Sequence, residues 1–326
     1  HAMGYGPSTA IETLSEFGVL LLLFGIGVKL NPRTLTKPEV WAGASIHMAL
    51  STVVIGSVLL MLGAFGLPLV TDLDLGQAAI VGFALSFSST VDAVKALEDR
   101  NEAASLSGRL AIGMLIMQDI FAVAFLVFSA GEVPSLWAIP VVVAVIAARP
   151  LYGWILDNSG HGELLILLGV FLAIGVGAGA FEWAGLKPDL GALVVGFTLA
   201  NHRRAGELAE KLLGLKDILL IGFFLSIGLE GTPDIAAVGI ALVALLLLTG
   251  KVGGFIALIP RFRLRSRTAW HTSVSLATFS EFGLIVVAAG INEGLLDSDW
   301  SAVVAVAVAA SFALAAPANT ARYRIY

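Results

Sequence analysis

The chain has 326 residues, of which 58% are hydrophobic and 13% charged, with mean hydropathy +0.93. Soluble proteins carry about 25% charged residues, so the composition excludes a soluble globular domain and indicates an integral membrane protein. The formal net charge is −5, and with no cysteine the chain can form neither disulfides nor thiolate metal sites.

Eleven apolar segments follow in chain order, and they predict an all-α polytopic membrane protein. They are Ile11–Leu30, Val40–Gly63, Leu75–Leu97, Leu106–Ala130, Leu136–Leu156, Leu164–Trp183, Leu190–Asn201, Leu215–Leu229, Ile235–Ile259, Thr268–Ile291 and Trp300–Ala316. The seventh and eighth are short, and Pro188 and Pro233 mark loops beside them. No low-complexity linker or soluble stretch interrupts the series, so residues 1–326 read as one transmembrane domain. No signal peptide is visible, and HAMGYGP at the start reads as the tail of a helix.

The basic residues set the orientation. If the loops after the odd-numbered segments and the C-terminus share one side, that side holds 17 of the 19 Lys and Arg. Lys187 lies on the opposite, acid-rich side, and Lys251 alone lies within a segment. The basic side is therefore expected to be cytoplasmic.

An internal repeat agrees with this topology. The first segment ends FGIGVKLNP (Phe24–Pro32) and the eighth FLSIGLEGTP (Phe224–Pro233). The third contains LSFSSTV (Leu85–Val91) and the tenth LATFSEF (Leu276–Phe282). Both pairs run in opposite directions through the membrane, which defines two inverted units. The sixth and seventh segments then lack partners before the first, so two N-terminal helices are expected to be missing.

The fourth segment carries Gln118 and Asp119 at its centre. A carboxylate at that depth costs at least ~2.5–3.5 kcal/mol and marks an ion or proton site by default. The third segment holds Ser86, Ser88, Ser89, Thr90 and Asp92; the tenth holds Thr278, Ser280 and Glu281. Isolated hydroxyls bond back to their own helix, but a Ser-Ser-Thr run followed by Asp predicts an interrupted helix with exposed ends. Such oxygen-rich, thiolate-free surroundings suit a hard monovalent cation. Lys251, followed by two glycines, is expected to pair with Asp119, Glu281 or an exposed helix carbonyl. His47 and Glu182 read as structural. Hydrolase signatures such as HExxH or a Gly-x-Ser-x-Gly elbow do not occur, which argues against an enzyme. GVGAGAF in the sixth segment reads as close helix packing rather than a nucleotide loop.

These motifs together resemble the Kef-type branch of the monovalent cation:proton antiporters. The likeness rests on LLLLFGIGVKLNP (Leu20–Pro32), FSSTVDAVKALED (Phe87–Asp99), MQDIFAV (Met117–Val123), GALVVGFTLA (Gly191–Ala200), FFLSIGL (Phe223–Leu229) and SEFGLIV (Ser280–Val286). The resemblance implies an inverted-repeat antiporter fold of thirteen helices, with the fifth and twelfth discontinuous and crossed, of which about 11 are present here. It also implies a homodimer with a dimer domain and a mobile core domain. In that family Asp119 is the cation and proton carboxylate, and a Gln-Asp pair goes with potassium selectivity. Two features depart from the pattern. Asp92 replaces an apolar residue, so it either alters stoichiometry or pairs with a cation. The nucleotide- or glutathione-sensing cytosolic domain that often follows the Kef membrane part is expected to lie outside these residues.

The reading that follows is a secondary antiporter in a bacterial-type inner membrane, exchanging K+, or less favourably Na+, for protons. Asp119 binds either ion; Gln118, Ser88, Ser89 and Thr90 complete the cation shell; Lys251, Glu281 and Ser280 balance charge at the helix crossing. No cofactor and no nucleic-acid partner are expected, only the bilayer, a second copy and a regulatory domain or subunit. The alternative is a ligand-regulated potassium channel or efflux system using the same residues.

Overall fold

The computed structural model describes residues 9–29, 36–98, 101–103, 105–129, 137–230 and 234–321, and these are helical with short connections. In chain order the helices are α1 (Thr9–Lys29), α2 (Pro38–Ala64), α3 (Leu75–Ser86), α4 (Thr90–Glu98) and α5 (Leu106–Ser129). Then come α6 (Ala138–Ala147), α7 (Arg149–Asn158), α8 (Glu163–Val170) and α9 (Gly179–Trp183), the last two joined by a π-helical stretch, Phe171–Ala178. The remainder are α10 (Pro188–Leu199), α11 (Ala205–Glu230), α12 (Ile235–Leu258), α13 (Ser266–Ser275), α14 (Glu281–Asn292) and α15 (Asp299–Ala321). By length and composition, Pro38–Ala64, Leu106–Leu126, Glu163–Trp183 and Ile235–Phe262 can each cross a bilayer.

The chain divides into two compact units, and each is discontinuous in sequence. The first comprises His1–Pro32 and Ala130–Gly231. Here α1 packs on α10 and α11, α10 on the π-helical stretch and α11 on α8, around Phe24, Leu172, Val195 and Leu208. Small residues allow this. A Cβ on Gly196 would collide with the Phe24 carbonyl, and one on Gly27 with the Leu193 carbonyl. Gly177 and Gly191 meet in the same way, which is the close packing that GVGAGAF predicts.

Three boundaries in this unit differ from the sequence reading. The fifth segment is bent by 40° between α6 and α7, because Pro150 has no N–H to continue the ladder. Pro188 lies within α10 rather than before it, at the first turn where a missing N–H costs nothing. Helix α11 begins ten residues before the predicted Leu215, taking in part of the basic stretch. The cause is amphipathicity: Ala205, Leu208, Ala209 and Leu212 are buried while Gly206, Glu210 and Lys211 face outward.

A polar knot joins α7 to the start of α11. The Arg204 guanidinium donates to the Leu156 and Gly160 carbonyls and to Glu207 Oε2 at 2.9 Å. His161 Nδ1 donates to Glu207 Oε1 at 2.9 Å, and Arg203 to Asp157 Oδ1. The Arg204 hydrogen bond, followed by that of His161, holds the Glu207 carboxyl at about 2, below its ordinary 4.5.

The second unit comprises Arg33–Ser129 and Thr232–Tyr326. In it α2 packs on α3 and α5, α12 on α15 and α13, and α14 on α3. Glycines again set the closest approaches: a Cβ on Gly283 would lie 2.6 Å from the Ala84 carbonyl, one on Gly56 3.0 Å from the Ala78 carbonyl. Asp74 begins α3 with a capping box, accepting from Gln77 N–H at 2.8 Å while Gln77 Oε1 accepts from Asp74 N–H.

Two predictions follow from the first unit. Gly196→Val places a branched side chain against the Phe24 backbone and should cost about 1–3 kcal/mol or more, read as a lower melting temperature in detergent. Glu207 has a folded pKa below its unfolded value, so its stabilisation is complete above about pH 4.5 and fades as pH falls toward 2. Glu207→Gln should therefore lose less melting temperature than the wild type between about pH 5 and about pH 3.

Candidate functional site

All the residues singled out as site candidates lie in the second unit. Helix α3 stops at Ser86, where the hydroxyl folds back to the Phe83 carbonyl at 2.7 Å. Phe87 is extended, and helix resumes only at Thr90. Ser89 opens α4 as its cap: the carbonyl accepts from Ala93 N–H and the hydroxyl from Asp92 N–H, both at 3.3 Å. Asp92 is half-buried in the first turn of α4. In the tenth segment α13 stops at Ser275 and α14 starts at Glu281, capped by Ser280, whose hydroxyl accepts from Phe282 N–H at 3.1 Å.

The two interruptions are bonded to each other. Ser88 Oγ donates to the Leu276 carbonyl at 3.0 Å, and Ser89 Oγ to Glu281 Oε2 at 3.3 Å. Ser280 Oγ also reaches Glu281 Oε2, at 3.4 Å. The Lys251 ammonium, buried on α12, donates to the Phe87 carbonyl and, at 3.2 Å, to the Thr278 carbonyl. It also lies 5.3 Å from the centre of the Phe279 ring, within cation–π range.

This arrangement sorts charge by helix polarity. The carbonyls that take Lys251 follow the C-terminal, partly negative ends of α3 and α13. The hydroxyls that point at Glu281 belong to the caps at the partly positive N-terminal ends of α4 and α14.

Asp119 is buried on α5, with 4% of its surface exposed. The adjacent Gln118 is fully buried, and its Oε1 accepts from Ser88 N–H at 2.8 Å. The middle of α5 is thereby tied to the first interruption. Sequence alone suggested the Gln118 carbonyl as a cation ligand; in the structure one of its lone pairs serves a backbone N–H freed by the helix break. Around the two breaks, Thr90 Oγ1, Gln118 Nε2, Thr278 Oγ1 and Glu281 Oε1 are buried with no hydrogen-bond partner among the described residues. Each such group costs about 1–3 kcal/mol.

One participant, Ser311, escaped the sequence reading, while His47 has the structural place that reading gave it. Ser311 on α15 accepts from Phe279 N–H at 3.1 Å and donates to the Val308 carbonyl at 2.8 Å. A serine inside an otherwise apolar run was the available signal. His47 on α2 contacts the Lys251 carbonyl through Nε2 at 2.8 Å, so that nitrogen carries the proton. Its ring stacks on Phe255 and packs against Gly254.

The comparison with known proteins now has a geometry to explain. The family described as "Sodium/hydrogen exchanger, transmembrane" matches residues 2–319. The chain belongs to the sodium/hydrogen exchanger family. Among curated proteins it is similar to the glutathione-regulated potassium-efflux system protein KefC of Enterobacter sp. (strain 638), at 28% identity over 94% of this chain and 51% of the relative. It is 30% identical to the protein of that name from Klebsiella pneumoniae (strain 342), over 93% of this chain and 51% of the relative. The putative cation/proton antiporter YbaL of Escherichia coli (strain K12) is 31% identical, over 87% of this chain and 54% of the relative. The chain thus spans about half the length of these curated relatives. Membership agrees with the transmembrane, all-helical architecture.

Ser311→Ala leaves the buried Phe279 N–H unsatisfied and should lower stability by about 1–3 kcal/mol. Lys251→Gln removes the charge between two negative helix ends and should destabilise more than Ser311→Ala. Thermal unfolding of both variants in one detergent checks the order.

Proposed function

We propose that this exchanger-family chain swaps a monovalent cation, K+ in preference to Na+, for protons by competition at Asp119. The observation that supports the reading is the Gln118 bond to Ser88 N–H, which ties the level of α5 that carries the buried Asp119 to an interrupted helix. A carboxylate with a cation about 3 Å away resists protonation, so one group alternates between the two ions. Thr90 Oγ1, with no protein partner among the described residues, is the readiest neutral ligand. Ser88 Oγ donates one hydrogen bond, Gln118 Oε1 accepts one, and Ser89 Oγ donates one and accepts one, so each oxygen keeps a lone pair for a cation. Asp92, one turn into α4, is a second acid on the route to the site.

In this reading the unit with Asp119 is the mobile core and the other is the dimerising frame, rocking in alternating access. The inverted repeat in the sequence supports that assignment. A second copy, an inner-membrane location with the basic loops and C-terminus cytoplasmic, and a cytosolic regulatory partner belong to the same proposal. No catalytic step and no resident cofactor are needed; the cation is cargo.

Asp119→Asn keeps shape and hydrogen bonding but cannot titrate. In proteoliposomes, K+-dependent proton movement should disappear while the melting temperature stays near wild type. Exchange retained by a folded variant would refute the assignment, and current under voltage alone, without pH coupling, would identify a channel. Gln118→Glu keeps an acceptor for Ser88 N–H and adds a second acid. It should change the charge moved per cycle, seen as a new dependence of exchange on membrane potential.

A further inference from the structure

At the basic end of the unit that holds Asp119 lies a groove of about 190 Å³ that the transport reading does not use. One wall is the face of α5 formed by Leu106, Leu110, Ile112 and Ile116, and Leu264 closes it from the connection between α12 and α13. Its polar rim is Lys37, Arg109 and Glu39. The volume equals about six waters, enough for a phosphate with its glycerol and far too little for a protein element. The apolar wall runs from Leu106 to Ile116, ten helical steps or about 15 Å, half of a ~30 Å hydrocarbon core. It therefore runs from the depth of charged side chains down to the depth of acyl chains.

Charge at the mouth favours an anion. Leu264 stands between Arg263 and Arg265, and Arg261, Arg263, Arg265 and Arg267 are all exposed. Among the described residues none of these four guanidinium groups has an ion-pair or hydrogen-bonding partner. Arg263 adopts the left-handed backbone region (φ 61°), which turns the chain as the 3-10 turn Ile259–Phe262 ends and brings Leu264 to the groove. Glu39 offsets one positive charge and leaves the mouth cationic.

We propose that this groove binds an anionic glycerophospholipid, with its phosphate at the Lys37–Arg109 rim and one acyl chain along Leu106–Ile116 of α5. A soluble anion has no use for the apolar wall, and a zwitterionic lipid gains little from the arginines. The site rests on the groove and its charge, not on the transport mechanism.

The test uses the whole chain, delipidated in detergent, with phosphatidylglycerol, phosphatidylcholine or inorganic phosphate added. Bound lipid is counted by native mass spectrometry and stability followed by thermal unfolding. Phosphatidylglycerol alone should stay bound and raise the melting temperature. Lys37→Glu should weaken its binding about tenfold, and Ile112→Trp, which fills the groove without changing charge, should abolish it. Lys187→Gln, on the acid-rich side, should change nothing. If either groove variant misfolds, the exposed pair Arg263→Gln with Arg265→Gln replaces it, with the same tenfold weakening expected. Equal binding of phosphatidylcholine, stabilisation by phosphate alone, or unchanged phosphatidylglycerol binding by Ile112→Trp would each overturn the proposal.

Discussion

Breaking a helix inside an apolar bundle releases backbone groups that must be satisfied where water is scarce, and this constraint governs the second unit. One lysine and one glutamate meet it. Lys251 takes carbonyls at two negative helix ends, and Glu281 takes hydroxyls that cap two positive ones. Each charge is shared by both interruptions, so neither break can relax without disturbing the other. The surrounding contacts serve the same end. His47 steadies the backbone at Lys251, Ser311 holds Phe279, and Gln118 catches the free N–H of Ser88.

What this scaffold leaves unsatisfied is as informative as what it satisfies. Four buried polar atoms without partners among the described residues, two from each interrupted segment or its neighbour, would be poor design in a purely structural core. Local rules are broken where a site needs readiness for a guest. The caps, the lysine and the glutamate keep the backbone fixed, so the unsatisfied atoms are presented at fixed places instead of collapsing onto each other.

Much of the architecture was legible. Apolar run length gave the helices, and the Ser-Ser-Thr and Ser-Glu-Phe runs marked where helix is lost, at residues 87–89 and 276–280. That Lys251 takes an exposed helix carbonyl was legible; which carbonyls was not, for a physical reason. Lys251 bonds backbone carbonyls, which every residue type carries, so no side-chain pattern points to Phe87 or Thr278. Gln118 was legible only in part: the sequence shows an amide oxygen but not the Ser88 N–H that it accepts from. The start of α11 was missed because its charged residues suggested a loop, while the buried stripe from Ala205 to Leu212 supports a helix. The amphipathic groove was equally hidden, since it joins Lys37, α5 and Leu264 across more than two hundred residues.

The bare-backbone contact between α1 and α10 has a consequence for how the chain is made. Gly27 and Gly196 are about 170 residues apart (196 − 27 = 169), and all of α2 to α9 is synthesised between them. At ~5–20 residues per second, α1 waits about 8–34 s after leaving the ribosome before its partner exists. Through that interval its glycine face is open to lipid, the insertion machinery or chaperones. The first unit cannot close until most of one half of the second has been threaded through its sequence. Biogenesis therefore has an obligatory order, and a delay before α10 emerges prolongs the most vulnerable stage of assembly.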